Sequence, residues 1–290
     1  FILGKEVSLF ENNFKKFCGS NYAISCANGT DALTLALKAL DLPKNSEVLI
    51  PAMTYCSTAF SVFNAGLRPK LVDTEFLKAT ICLKDLKKKI SKKTKVILPV
   101  HLYGSTANLS GIKKLIGKKK IFLIDDCAQA HGAYDDSVKS KLKKKIGSTT
   151  DISCFSLYPG KNLGAYGDAG IITTNNKKFY NKIRKLRNLG SEKKFIHDLI
   201  GMNSRLDSIQ AIILNEKLKR LNLLNTKRKI IAKRYNDEIQ NDKIRKINYS
   251  DSCVYHQYVI LAKDRNKLIK ILSKNNIQYG FHYPYSINQL

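Results

Sequence analysis

A chain of 290 residues with 43% hydrophobic content can bury a large core, and its length implies one large domain with a smaller one beside it. No stretch approaches the roughly 20 apolar residues of a membrane span, the N-terminus lacks the order of a signal peptide, and seven singly scattered cysteines exclude a disulfide or zinc framework and suit a reducing cytoplasm. The formal charge of +28 is spread as lysines over every predicted helix and loop, with no aromatic-basic or helix-turn-helix pattern, so it reads as general lysine-rich composition with no specific nucleic-acid partner expected, attraction of a doubly charged nucleotide substrate being the alternative that touches function.

Short Val-, Ile- and Leu-rich runs recur along the chain: YAISCA, EVLIPA, RPKLVDT, KVILPVHL, KIFLIDD, DISCFSL and AGIITT. They read as buried strands. Most are separated by segments of helical periodicity, such as DALTLALKAL and CSTAFSVFNAG, which predicts an α/β fold: a mostly parallel central sheet with helices on both faces. Ligands of such sheets sit at the carboxyl ends of the strands. From about Leu206 a long helical stretch forms an arm between domains, and CVYHQYVILA, DRNKLIKILSKNN and IQYGFHYP then predict strand, helix and extended piece of a small α+β unit that is incomplete. The division expected is a large domain over residues 1–222 and a small C-terminal domain over 223–290.

Three stretches carry chemistry. In CANGTDALTLALKAL a strand ends before a helix that begins at or near Asp31; free N–H groups there can hold a phosphate, and Gly29 lets the backbone approach, though a plain turn capped by Thr30 or Asp31 would read the same. In LIDDCAQAHGA, Asp126 lands at the carboxyl edge of the sheet, where a carboxylate could keep a pyridine nitrogen protonated and Gln129 could bond a ring substituent; a helix cap or a metal carboxylate are the alternatives. In DISCFSLYPGKNLGAYGDAGIITT, Lys161 sits in a Gly- and Pro-flanked turn following the next strand. A lone loop lysine is usually solvated and inert, but one placed after Asp126 on the same sheet can condense with an aldehyde and shuttle a proton, with Ser156 near a phosphate.

Taken in order, LGKEVSLFENNF, PAMTYCSTAFSVFNAGLRPKLVDTE, LPVHLYG, IDDCAQAHGA, FSLYPGKNLGAYGDAG, MNSRLDSIQA and GFHYPYSIN resemble the DegT-type nucleotide-sugar aminotransferases, a branch of the fold-type I pyridoxal 5'-phosphate (PLP) enzymes, over essentially the whole chain. The resemblance implies Lys161 as the lysine that holds PLP and moves protons, and Asp126 as partner of the pyridinium nitrogen. It further implies Gln129 near the phenolic oxygen, Tyr55 stacked on the ring, and Gly29, Thr30 and Ser156 on the phosphate. Asn203 would reach the cofactor of a partner subunit, which implies a homodimer with shared active sites. His101, Tyr103 and His282 are candidate sugar contacts, with a satisfied core role for His101 as the alternative; His131 and His256 receive no role, and no metal is expected. The substrates implied are an amino-acid donor, glutamate by analogy, and a nucleotide-linked keto deoxy sugar. Tyr158 and Gly167-Asp168-Ala169-Gly170 are similar to members that act at C-3. Family chains extend beyond both Phe1 and Leu290, so that a fragment is expected, and Asn288 stands where relatives carry a second histidine. A sugar dehydratase of the same family would carry histidine in place of Lys161, and a regulatory or scaffold protein would not need lysine, acid and serine together.

Overall fold

All seven apolar runs form strands of one sheet in the structure, a computed structural model that describes residues 2–137, 143–193 and 195–290. The strands are β1 (Tyr22–Cys26), β2 (Glu47–Pro51), β3 (Arg68–Val72), β4 (Thr94–Ile97), β5 (Phe122–Asp126), β6 (Ile152–Ser156) and β7 (Gly170–Thr174), in the order β1-β7-β6-β5-β4-β2-β3. The pairs β2–β3, β2–β4, β4–β5 and β5–β6 are parallel; β7 runs antiparallel to both β6 and β1. The exception has a local cause. No helix intervenes between β6 and β7, so the chain turns back on the edge where β6 ends, and a short return of this kind can only be antiparallel. That turn carries Lys161.

Side-chain alternation divides the core between the two faces of the sheet. On one face Leu49, Ile97, Leu123, Phe155 and Ile171 pack with α1 (Lys5–Cys18) through Val7, Phe10 and Phe14, and with α7 (Ser208–Glu238) through Ala211, Leu214, Leu218 and Leu221. On the other, Val48, Ile50, Val96, Ile124, Ile152 and Ile172 meet α2 (Gly29–Lys38), α3 (Ser57–Asn64) and α6 (Lys177–Leu186). The shorter α4 (Leu83–Lys89) and α5 (Leu109–Ile116) add Leu86, Leu109 and Ile112 to the first face. Because Asp126 and Ser156 share the parity of Ile124 and Ile152, both emerge on the α2 and α3 side at the strands' carboxyl ends.

Arg187, just past α6, fastens three elements. Its Nη1 donates to Glu11 Oε1 on α1 at 2.5 Å and to the Ser25 carbonyl on β1 at 2.6 Å, and Glu11 also accepts from the Ser25 N–H and hydroxyl. The two side chains are 7% and 16% exposed. Arg187→Met therefore leaves a desolvated carboxylate without its counter-charge, a change that costs about 3–5 kcal/mol. We expect urea unfolding midpoints to fall accordingly, and Glu11→Gln combined with Arg187→Met to recover part of the loss.

Two short hairpin strands, β8 (Ser191–Lys193) and β9 (Ile196–His197), precede α7, which runs unbroken through residue 222, where the sequence suggests a domain boundary. At about 46 Å it is the long helix anticipated from the sequence. Beyond it, β10 (Ile244–Lys246) pairs antiparallel with β11 (Ile260–Ala262), and α8 (Arg265–Lys274) follows. One expectation is corrected here. Only residues 260–262 of CVYHQYVILA form a strand, because the preceding backbone bonds elsewhere: the Val254 N–H donates to Gly104 O at 3.1 Å and the Val259 N–H to the Tyr249 hydroxyl at 2.6 Å. IQYGFHYP follows α8 without joining a sheet; the Ile277 N–H donates to Leu272 O at the end of α8, and the His282 carbonyl accepts from the Tyr103 hydroxyl. Among the described residues no helix is long and apolar enough to cross a membrane.

Candidate active site

The carboxyl ends of β1, β2, β5 and β6 open into a cavity of about 870 Å³, within the size range of cofactor sites. Its wall includes Gly29, Thr30, Tyr55, Asp126, Gln129, Ser156, Lys161 and His282, which the sequence scatters over more than 250 positions.

One end is a cup of backbone and hydroxyls. The helix α2 starts at Gly29, two residues before the position expected, and its cap is Asn28, whose Oδ1 accepts from the Asp31 N–H at 2.8 Å. Neither Thr30 nor Asp31 caps it, so the Thr30 hydroxyl is free to donate to Ser57 Oγ at 2.8 Å, at the start of α3. The close approach requires Gly29: a Cβ there would lie 2.6 Å from that of Ser156. Free N–H groups at a helix start, ringed by three hydroxyls, make a receptor for phosphate.

The floor is Asp126. Its Oδ1 accepts from the Ala128 N–H and its Oδ2 from the Thr58 hydroxyl, each at 3.0 Å. Burial raises its carboxyl above the usual range, outweighing those two bonds and the nearby Lys161 and His101. Ionised, such a group seeks a cationic partner and can pair with a ring N–H. Asp125 faces the opposite core, where burial works to raise it, but His101, Ser153 and Thr150 prevail and hold it below the usual range.

Lys161 enters from the β6–β7 turn. Gly164 permits that turn, since a Cβ there would meet the Pro159 carbonyl oxygen at 2.3 Å, and the Lys161 N–H donates to Tyr158 O at 2.9 Å. Burial pushes its ammonium below the usual lysine range, with Asp126 pulling the other way. An amine of this kind is a ready nucleophile and proton carrier.

Tyr55 stands at the rim, 56% exposed, its ring centroid 5.9 Å from that of Tyr283. Gln129 bridges two residues: its Oε1 accepts from the Tyr103 N–H at 2.5 Å, and its Nε2 donates to the Tyr283 hydroxyl at 3.2 Å. Burial raises the Tyr283 phenol and lowers His282 below the usual histidine range, the latter aided by Lys161.

Three candidates lie outside the cavity wall. His101 is fully buried, with Nδ1 accepting from the Ala107 N–H and Nε2 bonded to Asp125 Oδ2, both at 3.0 Å. As a sugar contact it is corrected to the core role, since neither ring nitrogen is left for a ligand. His101, Asp125 and Cys127 could be grouped as metal ligands by distance, but the Ala107 bond puts the His101 proton on Nε2, facing Asp125, where a metal would need a lone pair. Tyr103 is 4% exposed and backs the wall instead of lining it; burial pushes its phenol up to about 12. Asn203 lies at the surface, beside Ser204, whose hydroxyl donates to Asp31 Oδ2 at 2.7 Å. Asn288 is likewise outside, its Oδ1 accepting from the Ser286 hydroxyl.

The structure adds Ser57, Thr58 and Tyr283, which the sequence reading passed over, and His256, to which it gave no role. A second strand-to-helix junction at CST was the available signal for Ser57 and Thr58. Nothing local marks His256.

The model of the DegT/DnrJ/EryC1/StrS aminotransferase family matches residues 1–290. A dTDP-3-amino-3,6-dideoxy-alpha-D-galactopyranose transaminase of Aneurinibacillus thermoaerophilus is 40% identical over 286 residues, covering 98% of this chain and 77% of its own. A UDP-N-acetyl-3-dehydro-alpha-D-glucosamine 3-aminotransferase of Acidithiobacillus ferrooxidans is 36% identical, covering 98% and 76%. The crystal structure of S. venezuelae DesV with a ketimine intermediate superimposes with a TM-score of 0.95 at 32% identity, over 100% of this chain and 77% of that one, and a Bacillus subtilis structure of the same fold holds PMP as its cofactor. The chain belongs to the DegT/DnrJ/EryC1/StrS aminotransferase family. It is a transaminase, and its cofactor is pyridoxal phosphate.

Proposed function

We propose that this enzyme transfers an amino group from an amino acid, glutamate, to the C-3 keto group of a nucleotide-linked deoxy sugar. The observation that carries it is the convergence of Lys161, Asp126 and the α2 cup in one cavity, with the two relatives described above, whose names place the amino group at C-3, supporting the position. Tyr158 and the Gly167–Gly170 run lean the same way.

The residues fit the cofactor: a phosphate receptor, a buried acid and a half-buried amine line the same cavity. When bound, PLP supplies a carbonyl that takes up the amino group and a ring that withdraws electrons. Gly29, Thr30 and Ser156 would hold its phosphate, Tyr55 would cover its ring, Gln129 would serve its phenolic oxygen, and Asp126 would keep the ring nitrogen protonated. Lys161 anchors it between turnovers and moves the proton at the substrate carbon in both halves of the reaction. His282 contacts the sugar. Asn203, exposed next to buried Ser204, reaches a partner's cofactor in a homodimer. Seven unpaired cysteines support a cytoplasmic setting. The division at residue 222 is retained as the proposed boundary between cofactor and small domains.

The test is a panel of dTDP- and UDP-linked 3-keto and 4-keto sugars with L-glutamate, with the amino sugar product identified by mass and position. Turnover of 3-keto sugars alone is expected. Turnover confined to 4-keto sugars would remove the C-3 assignment, and loss of water in place of amination would favour the dehydratase.

A further inference from the structure

Lys161 and His256 each bring an unpartnered nitrogen to the cavity. Among the described residues neither Lys161 Nζ nor His256 Nε2 has a hydrogen-bond or ion-pair partner, although both side chains line the same space. What lies behind His256 determines what its free nitrogen offers.

Asn225 on α7 donates through Nδ2 to the His131 carbonyl at 2.8 Å, which turns its Oδ1 toward Asn162. Asn162, the residue after Lys161, donates through Nδ2 to that oxygen at 2.9 Å and to the Val254 carbonyl at 3.0 Å. Both amides are oriented by backbone carbonyls, which can only accept. The remaining Asn162 atom, Oδ1, is also an acceptor, and His256 Nδ1 lies 3.1 Å from it. Nδ1 must therefore carry the proton, and Nε2 presents a lone pair to the cavity.

The rest of the surroundings hold this arrangement still. Asn162 and Asn225 are 8% and 5% exposed, and the segment before His256 is tied to the Tyr103–Gly104 turn, where a Cβ on Gly104 would meet the His256 backbone nitrogen at 3.0 Å. The charged and titratable groups acting on His256 are Lys161, His131, Arg228 and His282. With burial foremost, they push its pKa down to about 3, so no competing proton occupies Nε2 at neutral pH.

We propose that His256 is a positioning residue for Lys161: held with its proton on Nδ1 by the Asn225–Asn162 relay, it offers Nε2 as the acceptor to which the free lysine amine turns by side-chain rotation when that amine is not bonded to the cofactor. The lysine then stays aimed into the cavity while the substrate occupies its place. Asn162 adjoins Lys161 in sequence, so one turn carries both the donor and the lock on its acceptor. The importance of Lys161 here rests on the proposed transaminase function; the tautomer and the contact do not need it.

The experiment has two readouts, neither requiring substrate. Nitrogen-15 spectra of wild-type protein labelled at histidine, with cofactor and stripped of it, are expected to show His256 as the Nδ1-protonated form; an Nε2-protonated ring would overturn the proposal. In the stripped protein, the pH dependence of reductive methylation at Lys161, followed by peptide mass, reports the lysine pKa. His256→Phe removes the acceptor, and the midpoint should fall by about one pH unit, tenfold in the equilibrium, while His256→Gln, whose amide oxygen can accept, stays near the wild type. A Phe midpoint equal to wild type, or a Gln midpoint equal to Phe, sinks the contact. Should the sugar panel fail while both readouts hold, the function falls and the positioning role stands.

Discussion

Lys161→Ala is expected to abolish covalent capture of the cofactor: after incubation with PLP and borohydride, wild-type protein carries a pyridoxyl group on the peptide containing Lys161, and the variant carries none. Transamination falls roughly 10⁴-fold, the upper end of what a positioned proton carrier contributes. The cup and Asp126 are untouched by the substitution, so PLP should still bind, reversibly, through its phosphate and ring nitrogen. Lys161→Arg separates charge from chemistry, because guanidinium restores the cation without a nucleophilic amine; it should behave as the Ala variant does. The pH dependence has a definite sign. The neutral amine is the nucleophile, and burial lowers the Lys161 pKa, so capture rises with pH and levels off below the range of a solvent-exposed lysine. Equal capture in the Ala variant would show that another amine anchors the cofactor.

Much of this site was legible in the sequence because a doubly wound sheet turns local patterns into long-range geometry. Each apolar run that ends in a polar or glycine-rich turn delivers that turn to one edge, so Gly29, Asp126, Ser156 and Lys161 could be gathered without knowing any contact. Alternation then separates Asp126, which faces the cavity, from Asp125, which faces the core. What escaped was set by tertiary packing. His101 follows β4 as a site residue would, but the Ala107 N–H and Asp125 occupy both its nitrogens. The His256 tautomer depends on two amides and two carbonyls drawn from separate segments of the chain, which leave no periodic trace in the sequence. The strand-like composition of residues 253–259 was overridden for the same reason: the Val254 and Gln257 N–H groups bond to the Tyr103–Gly104 turn far earlier in the chain and the Val259 N–H to the Tyr249 hydroxyl, and β-propensity gives way when no neighbouring strand is offered.

Asp126→Asn should separate stability from activity in opposite directions. The cofactor-free protein holds Asp126 at a cost, since burial raises its carboxyl. For an acid whose pKa is higher in the folded than in the unfolded chain, the favourable contribution is complete below the unfolded value and is lost as pH rises through the folded one. Wild-type protein stripped of cofactor should thus gain stability as pH is lowered through that window, and Asp126→Asn should lack this gain and be the more stable of the two at neutral pH. Asparagine also fits the polar contacts. Its Oδ1 can still accept from the Ala128 N–H, and its Nδ2 can donate to Thr58 Oγ1, whose own proton can turn to Thr54 at 2.9 Å. The cost appears with the cofactor bound: an amide cannot hold a ring nitrogen protonated as a carboxylate does, and removal of one such electrostatic partner from a buried site costs roughly 10²–10³-fold in kcat. Thermal melts of stripped and loaded protein across pH, set beside kcat for both forms, measure the two effects together. A variant less stable than wild type at neutral pH without cofactor would show that Asp126 is held in place at no electrostatic cost, and a variant with unchanged kcat would remove it from the reaction.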